Sequence, residues 1–174
     1  MLNDSLLASG NVQIFKVFSD RKELIWTHRN TLTTSFFTTI PQLLAGQVGT
    51  LIGDNSRTVA DGTAKWVTYM KVGFGSTPAA VSDNDLEDPS QGSGTTDYIL
   101  PISTVSFENP ATGSVSFSAT LPTGTGSDDY NTTPLTEVGL YSETDLLLAR
   151  QVYTDIAKTE TFQLQYTWTI TFRS

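Results

Sequence analysis

The sequence predicts a mainly β protein: an antiparallel β-sandwich, with a jelly roll as one variant, and one short helix near the N-terminus. Charged residues make up only 16% of the chain and hydrophobic residues 38%, so uncharged polar side chains cover much of the surface. Many of these are Thr, whose branched Cβ favours an extended backbone. Short segments of alternating apolar and polar residues are separated by Gly, Pro, Asn and Asp clusters, which is typical of all-β domains.

The length of 174 residues suits one domain. We expect an N-terminal arm over residues 1–10, followed by a single β-sandwich domain over residues 11–174. The domain begins with a predicted hairpin, in which a polar turn at residues 19–22 separates strands at 11–18 and 23–27.

Residues 31–45 are the predicted helix. Their apolar residues repeat with the period of one helix face, and these are Phe36, Phe37, Ile40, Leu43 and Leu44. Pro41 lacks an N–H and would clash with the carbonyl of Phe37, so we expect a kink or a break there.

Further strands are predicted at residues 65–72, 98–107, 114–121, 135–141 and 146–153. Two stretches rich in Gly, Ser, Asp and Pro, at residues 73–97 and 122–134, are predicted loops. Long loops in compact domains usually have a function, so we expect loop 73–97 to be an exposed excursion or a clamp on a partner.

The clearest element is a strand over residues 161–172, which alternates strictly between apolar and polar side chains. At about 3.3 Å per residue it would span about 40 Å. We predict that its apolar side chains form a core strand, and these are Phe162, Leu164, Tyr166, Trp168, Ile170 and Phe172.

A second hairpin carries a predicted ion pair. A turn centred between Glu143 and Thr144 places Glu137 directly opposite Arg150, on one face of the hairpin. We expect this pair to be structural, because neither residue has a companion nucleophile. Apolar residues fill the opposite face, namely Val138, Leu140, Leu147 and Ala149. Since the first face is also partly apolar, we expect the hairpin to lie inside an assembly.

Composition and motifs argue against several functions. The chain has no cysteine and a formal net charge of −8, which disfavours thiol chemistry and binding to nucleic acid. A Ser-His-Asp triad would have to use the single histidine, His28, but the sequence has no Gly-x-Ser-x-Gly elbow to present the serine. Residues 73–78 lack the third glycine of a dinucleotide fingerprint. The acidic residues 82–88 lack the glycine and glutamate of a calcium loop. We therefore predict no enzyme activity, no cofactor and no bound metal.

The start of the chain has no basic region followed by a long apolar segment, and no apolar run reaches about 18 residues. We expect neither a signal peptide nor a membrane span, and synthesis in the cytoplasm.

An ordered set of short motifs carries a resemblance to a known group. They are residues 72–78 (VGFGSTP), an Asp-rich link with Leu86, residues 137–141 (EVGLY), residues 147–150 (LLAR) and residues 168–170 (WTI). Together, over residues 11–172, the chain resembles a diffuse group of virion proteins of tailed bacteriophages, in which such motifs recur in one β-rich domain.

The resemblance implies a viral structural protein that binds other virion proteins, such as the major capsid protein or tail and neck proteins. The long loops and the apolar hairpin, in turn, indicate a homo-oligomer. We expect a capsid decoration (cement) protein first, since no fibrous segment is present. A neck, tail or baseplate protein involved in fibre attachment is the alternative. A carbohydrate-binding receptor-recognition module is the second alternative, because Trp26, Trp66 and Trp168 could stack on sugars.

Overall fold

The computed structural model describes residues 7–37, 67–91, 97–109, 113–124 and 129–173. Nine strands lie within this part of the chain: β1 (Leu7–Val17), β2 (Lys22–Leu32), β3 (Val67–Gly73), β4 (Ile99–Pro101), β5 (Thr104–Asn109), β6 (Ser114–Leu121), β7 (Leu135–Ser142), β8 (Leu147–Ile156) and β9 (Gln163–Arg173). A single 3₁₀ turn is formed by Asp129–Asn131.

The nine strands form one antiparallel sheet in the order β4-β3-β7-β8-β2-β1-β9-β6-β5. The sheet is curled into a half-barrel. The prediction of a mainly β, antiparallel fold is confirmed. The β-sandwich and its jelly-roll variant are not confirmed, because the described strands belong to one continuous sheet.

The two ends of the sheet come together through the chain itself. The outermost strands, β4 and β5, are consecutive, and only Ile102 and Ser103 lie between them. The Ile102 N–H donates to the carbonyl of Thr68 on β3 (3.0 Å), and the Ser103 N–H donates to that of Ser118 on β6 (2.8 Å). In the middle of the order, β2 and β8 pair over only two residues. The sheet therefore has two halves, which share one hydrophobic core.

Three predicted boundaries differ from the structure. Strand β1 begins at Leu7 and pairs with β9 from there, so four residues of the predicted arm belong to the sheet. The predicted helix starts too early, because β2 continues to Leu32 and helical backbone begins only at residue 34. Residues 38–45 of that helix lie outside the described residues, as do residues 1–6. The single strand predicted over residues 98–107 is divided into β4 and β5.

Strand β9 occupies the middle of its half of the sheet, between β1 and β6. Its buried side chains are Leu164, Tyr166, Trp168 and Ile170, with Phe162 buried just before the strand begins. Phe172 is only partly buried and packs against Phe36 at a ring distance of 6.2 Å. The alternation along β9 therefore separates a core side from an outward polar side.

Replacing Trp168 by Ala should lower the free energy of unfolding by about 3–5 kcal/mol, because a fully buried indole is lost and a cavity remains. The matched control is Gln165→Ala on the outward side of β9, which should change stability by no more than about 0.5 kcal/mol. Urea unfolding curves measure both. Similar losses in the two variants would contradict the assignment of the two sides.

Candidate functional site

The β7–β8 hairpin ends in a three-residue loop, so its turn is not centred between Glu143 and Thr144 as predicted. The Ser142 N–H donates to the Leu146 carbonyl (3.0 Å), and Asp145 has a left-handed backbone with φ of 60°. This is the geometry of a type I turn followed by a bulge. The pairing is displaced accordingly: Glu137 lies opposite Val152, and Gly139 lies opposite Arg150. The predicted register, with Glu137 directly opposite Arg150, is wrong.

Glu137 and Arg150 are nevertheless in contact, as diagonal neighbours. A displacement of two positions leaves Glu137 and Arg150 on the same face, and diagonal positions are within reach of long side chains. Arg150 Nε donates to Glu137 Oε2 at 2.9 Å, and Nη2 lies 2.8 Å from the same oxygen.

The Glu137 carboxylate is fully buried beneath the loop that follows β3. We name residues 74–91 the acidic loop. Three of its backbone N–H groups donate to the carboxylate: Gly75 to Oε1 (3.0 Å), Asp88 to Oε1 (2.8 Å) and Glu87 to Oε2 (3.2 Å). Since a buried charge is tolerated only when it is paired and hydrogen-bonded, these donors and Arg150 together make its burial feasible.

Arg150 is the second link between the sheet and the acidic loop. Its Nη1 lies 2.9 Å from Asp83 Oδ2, and its Nη2 lies 3.6 Å from Glu87 Oε2. Burial acts to lower the pKa of Arg150, but the hydrogen bonds to Asp83 and Glu137 outweigh it and hold the pKa above its ordinary value. One guanidinium therefore joins β8 to both β7 and the loop.

Two glycines allow the loop backbone to approach this carboxylate. A Cβ on Gly73 would lie 2.4 Å from the Asp88 carbonyl oxygen, and one on Gly75 would lie 2.6 Å from Glu137 Oε1. Both distances are too short for any side chain. The glycines of the VGFGSTP motif are thus required by close packing. The sequence around them indicates only a role in a turn.

A second charged cluster surrounds Lys71 and contacts the middle of the acidic loop. Lys71 on β3 is buried, and its Nζ lies 2.9 Å from Asp145 Oδ1, 3.0 Å from Asp97 Oδ2 and 4.0 Å from Asp85 Oδ1. It also lies 4.6 Å from the ring centre of Tyr141. Three carboxylates from the acidic loop, the segment before β4 and the β7–β8 turn therefore converge on one ammonium group.

Tyr141 connects this cluster to an apolar contact. Its hydroxyl donates to Asp85 Oδ1 (2.6 Å) and accepts the N–H of Leu86 (3.1 Å). Burial raises the pKa of Tyr141, and the hydrogen bond to Asp85 raises it further. Leu86 packs with Tyr141 and Leu147 in a small core of their own. Leu147 was predicted to share a face with Val138, but the bulge moves it to the loop side.

These contacts change the expected role of the second hairpin and of loop 73–97. Both faces of the β7–β8 hairpin are buried, as predicted, but the chain's own acidic loop covers the second face. The hairpin therefore needs no neighbouring subunit to cover it. The described part of loop 73–97 binds the chain's own sheet, whereas the sequence indicated an exposed excursion or a contact with a partner. Residues 92–96 lie outside the described residues.

The remaining candidate residues have ordinary surroundings. His28 is exposed, with Nδ1 2.8 Å from the Arg29 carbonyl oxygen. The acidic residues of 82–88 are engaged internally; Glu87, for example, accepts hydrogen bonds from the N–H and hydroxyl of Thr77. Among the described side chains, no group of three or more His, Asp or Glu residues could hold a metal ion. No described helix has the length and hydropathy of a membrane span.

Sequence reasoning did not find Lys71, Asp83 or Asp85 as members of this site. The alternation in β3 gave no signal for the burial of Lys71, because its neighbours Met70 and Val72 point to the opposite face and the pattern indicates an exposed lysine. No sequence signal identifies which of the loop carboxylates would meet Arg150 and which would meet Lys71.

Comparisons with known proteins add no relative. No protein-family model, no curated protein and no solved structure matches this chain.

Replacing Arg150 by Met should lower the free energy of unfolding by about 3–5 kcal/mol, because it leaves the Glu137 charge buried without its cation. In a double-mutant cycle with Glu137→Gln, the combined loss should be smaller than the sum of the single losses. The exposed pair Arg21–Glu23, joined at 2.7 Å, is the control and should couple by at most about 1 kcal/mol. Additive losses at Glu137 and Arg150 would rule out the coupling.

Acid should release the contribution of Asp145. Burial acts to raise the pKa of Asp145, but hydrogen bonds from Tyr69 and Lys71 outweigh it and set the pKa below its usual value. A lowered folded-state pKa gives stability that is complete above the unfolded pKa of about 3.9 and is lost as the pH falls further. Asp145→Asn tolerates the left-handed backbone and removes this term.

The stability difference between the wild type and Asp145→Asn should therefore be constant near neutral pH and shrink below about pH 4. Urea midpoints measured from pH 7 to about pH 2 provide the test. Tyr69→Phe, which removes one donor to the carboxylate, should reduce the difference without abolishing it. Parallel curves for the wild type and Asp145→Asn at all pH values would contradict the linkage.

Proposed function

We propose that this protein is a structural component of a tailed-bacteriophage virion, without enzymatic activity, and that it acts as a capsid decoration protein. The observation that carries the proposal is the structural role of the motif residues. Gly73, Gly75, Glu137 and Arg150 all fasten the acidic loop to the sheet. Residues with this role specify a rigid building unit, and none of these four is free to act on a substrate.

Buried charge supports the same reading. Glu137 is fully buried, and Arg150 and Lys71 are only 3% exposed, so these ionised groups hold parts of the fold together instead of facing a ligand. A decoration protein must keep its shape on a particle surface, and several fastened loops on a curled sheet suit that task. Its net charge of −8 would keep the unassembled chain soluble in the host cytoplasm.

A position in the neck, tail or baseplate is the alternative, since the resemblance extends to proteins that attach fibres. The glycan-binding alternative is weaker. Trp168 is fully buried, and Trp26 packs against Tyr153 at a ring distance of 5.7 Å. Trp66 lies outside the described residues.

Electron microscopy of purified particles that carry a gold-labelled tag after Ser174 tests the proposal. Label distributed evenly over the head is the expected result. Label at one vertex or along the tail would replace decoration with the neck, tail or baseplate alternative. Particles without label, together with binding of the free protein to a glycan array, would reject the virion proposal in favour of the receptor-recognition module.

A further inference from the structure

The outward side of one half of the sheet is unusually uniform. The strands β5, β6, β9, β1 and β2 lie side by side, and their core-facing residues include Trp168, Ala119 and Ile14. We name the opposite side of these five strands the neutral face. Its described positions are occupied mainly by Ser, Thr, Asn and Gln, with Asn11 and Gln13 of β1 next to Thr169 and Thr167 of β9.

The hydroxyl groups at the centre of this face are paired with one another. Three cross-strand hydrogen bonds join β6 to β9: Ser114 to Thr171 (3.0 Å), Ser116 to Thr169 (2.7 Å) and Ser118 to Thr167 (3.0 Å). Polar groups that already have a partner can be removed from water at small cost. Burial of this face against another protein surface therefore costs little free energy, although its side chains are polar.

Charge singles out the same face. The chain has 18 acidic and 10 basic residues, so two copies repel each other over most of their surfaces. At the outward positions whose side chains the structure describes, the neutral face has no carboxylate. Among these described positions the charged groups are Arg29 and Lys22, both on β2, and Lys22 Nζ lies 4.0 Å from the ring centre of Phe15. Two acidic copies can approach with least repulsion through this face.

The size of the face is adequate for a specific contact. Five strands about 4.8 Å apart give a width of about 24 Å, and eight residues at about 3.3 Å give a length of about 26 Å. The product, roughly 600 Å², approaches the roughly 800 Å² per partner of a standard interface. Leu24, which is 50% exposed, lies beside Phe15 at one end of the face and adds apolar area to it.

We infer that the neutral face binds a second copy of this chain, face to face, about a two-fold axis that runs along β9. With this axis β2 of one copy lies over β5 of the other, so the cations on the two β2 strands stay apart. Thr167 and Thr169 of both copies then meet near the axis. The inference rests on the proposed role as an assembled component and names the surface through which copies associate.

Sedimentation velocity of the purified chain, from about 10 μM to about 1 mM, measures the association directly. A monomer–dimer equilibrium is expected, and a monomer throughout this range would overturn the inference. The variant Gln13→Glu/Gln165→Glu keeps side-chain shape and adds two charges to the neutral face. It should weaken association about tenfold or more, because like charges then meet in the contact.

The matched control is Gln151→Glu/Thr154→Glu on β8, which adds the same charge outside the face and should leave the dissociation constant within about twofold. Equal effects of the two double variants would also overturn the inference. Far-ultraviolet circular dichroism and urea unfolding establish that each variant is folded before its association is measured.

The chain has no cysteine, so a spin label attached to a single introduced cysteine marks that position alone. Labels on Thr167→Cys should lie within about 20 Å of each other in the dimer, since packed sheets are about 10 Å apart. Labels on Thr154→Cys should be farther apart, and the reverse order would exclude this axis. These solution measurements do not involve the particle, so a failed dimer and a failed virion location are separate results.

Discussion

Burial of the Glu137 carboxylate is the constraint on which the rest of this structure depends. An ionised carboxylate inside a protein is strongly unfavourable unless a cation and several donors surround it. Here the donors come from the backbone of the acidic loop, and the cation comes from the adjacent strand. The loop must therefore lie on the sheet, and glycine must occupy positions 73 and 75 so that its backbone can reach the carboxylate.

Several motifs that are far apart in the sequence form a single structural unit for this reason. The strand end at Gly73, the acidic loop, the EVGLY strand and the LLAR strand meet around one carboxylate. The neighbouring Lys71 cluster adds the β7–β8 turn through Asp145 and the segment before β4 through Asp97. Each part needs the others, because removal of any one leaves a buried charge without its partner.

The sequence was sufficient for most of the strands and for the two sides of β9, because the alternation of apolar and polar residues reports burial directly. It also brought Glu137 and Arg150 together, although for the wrong register, since a three-residue loop and a bulge cannot be distinguished from a two-residue turn by the residues 142–145 alone. The curl of the sheet could not be predicted, because it depends on the two-residue connection between β4 and β5. The partners of Lys71 and Asp83 depend on the path of the acidic loop, for which local sequence has no signal.

The position of β9 has a consequence for how the protein is made. This strand is the last of the nine in sequence, yet it lies between β1, the first, and β6, and its side chains fill the centre of the core. Until residues 163–173 have been synthesised, β1 and β6 lack the strand that pairs with both of them. Folding of this half of the sheet must then follow synthesis of β9, with contacts of long sequence separation that form slowly. During that interval the unpaired strands are exposed to aggregation, and the excess of acidic residues opposes it through charge repulsion.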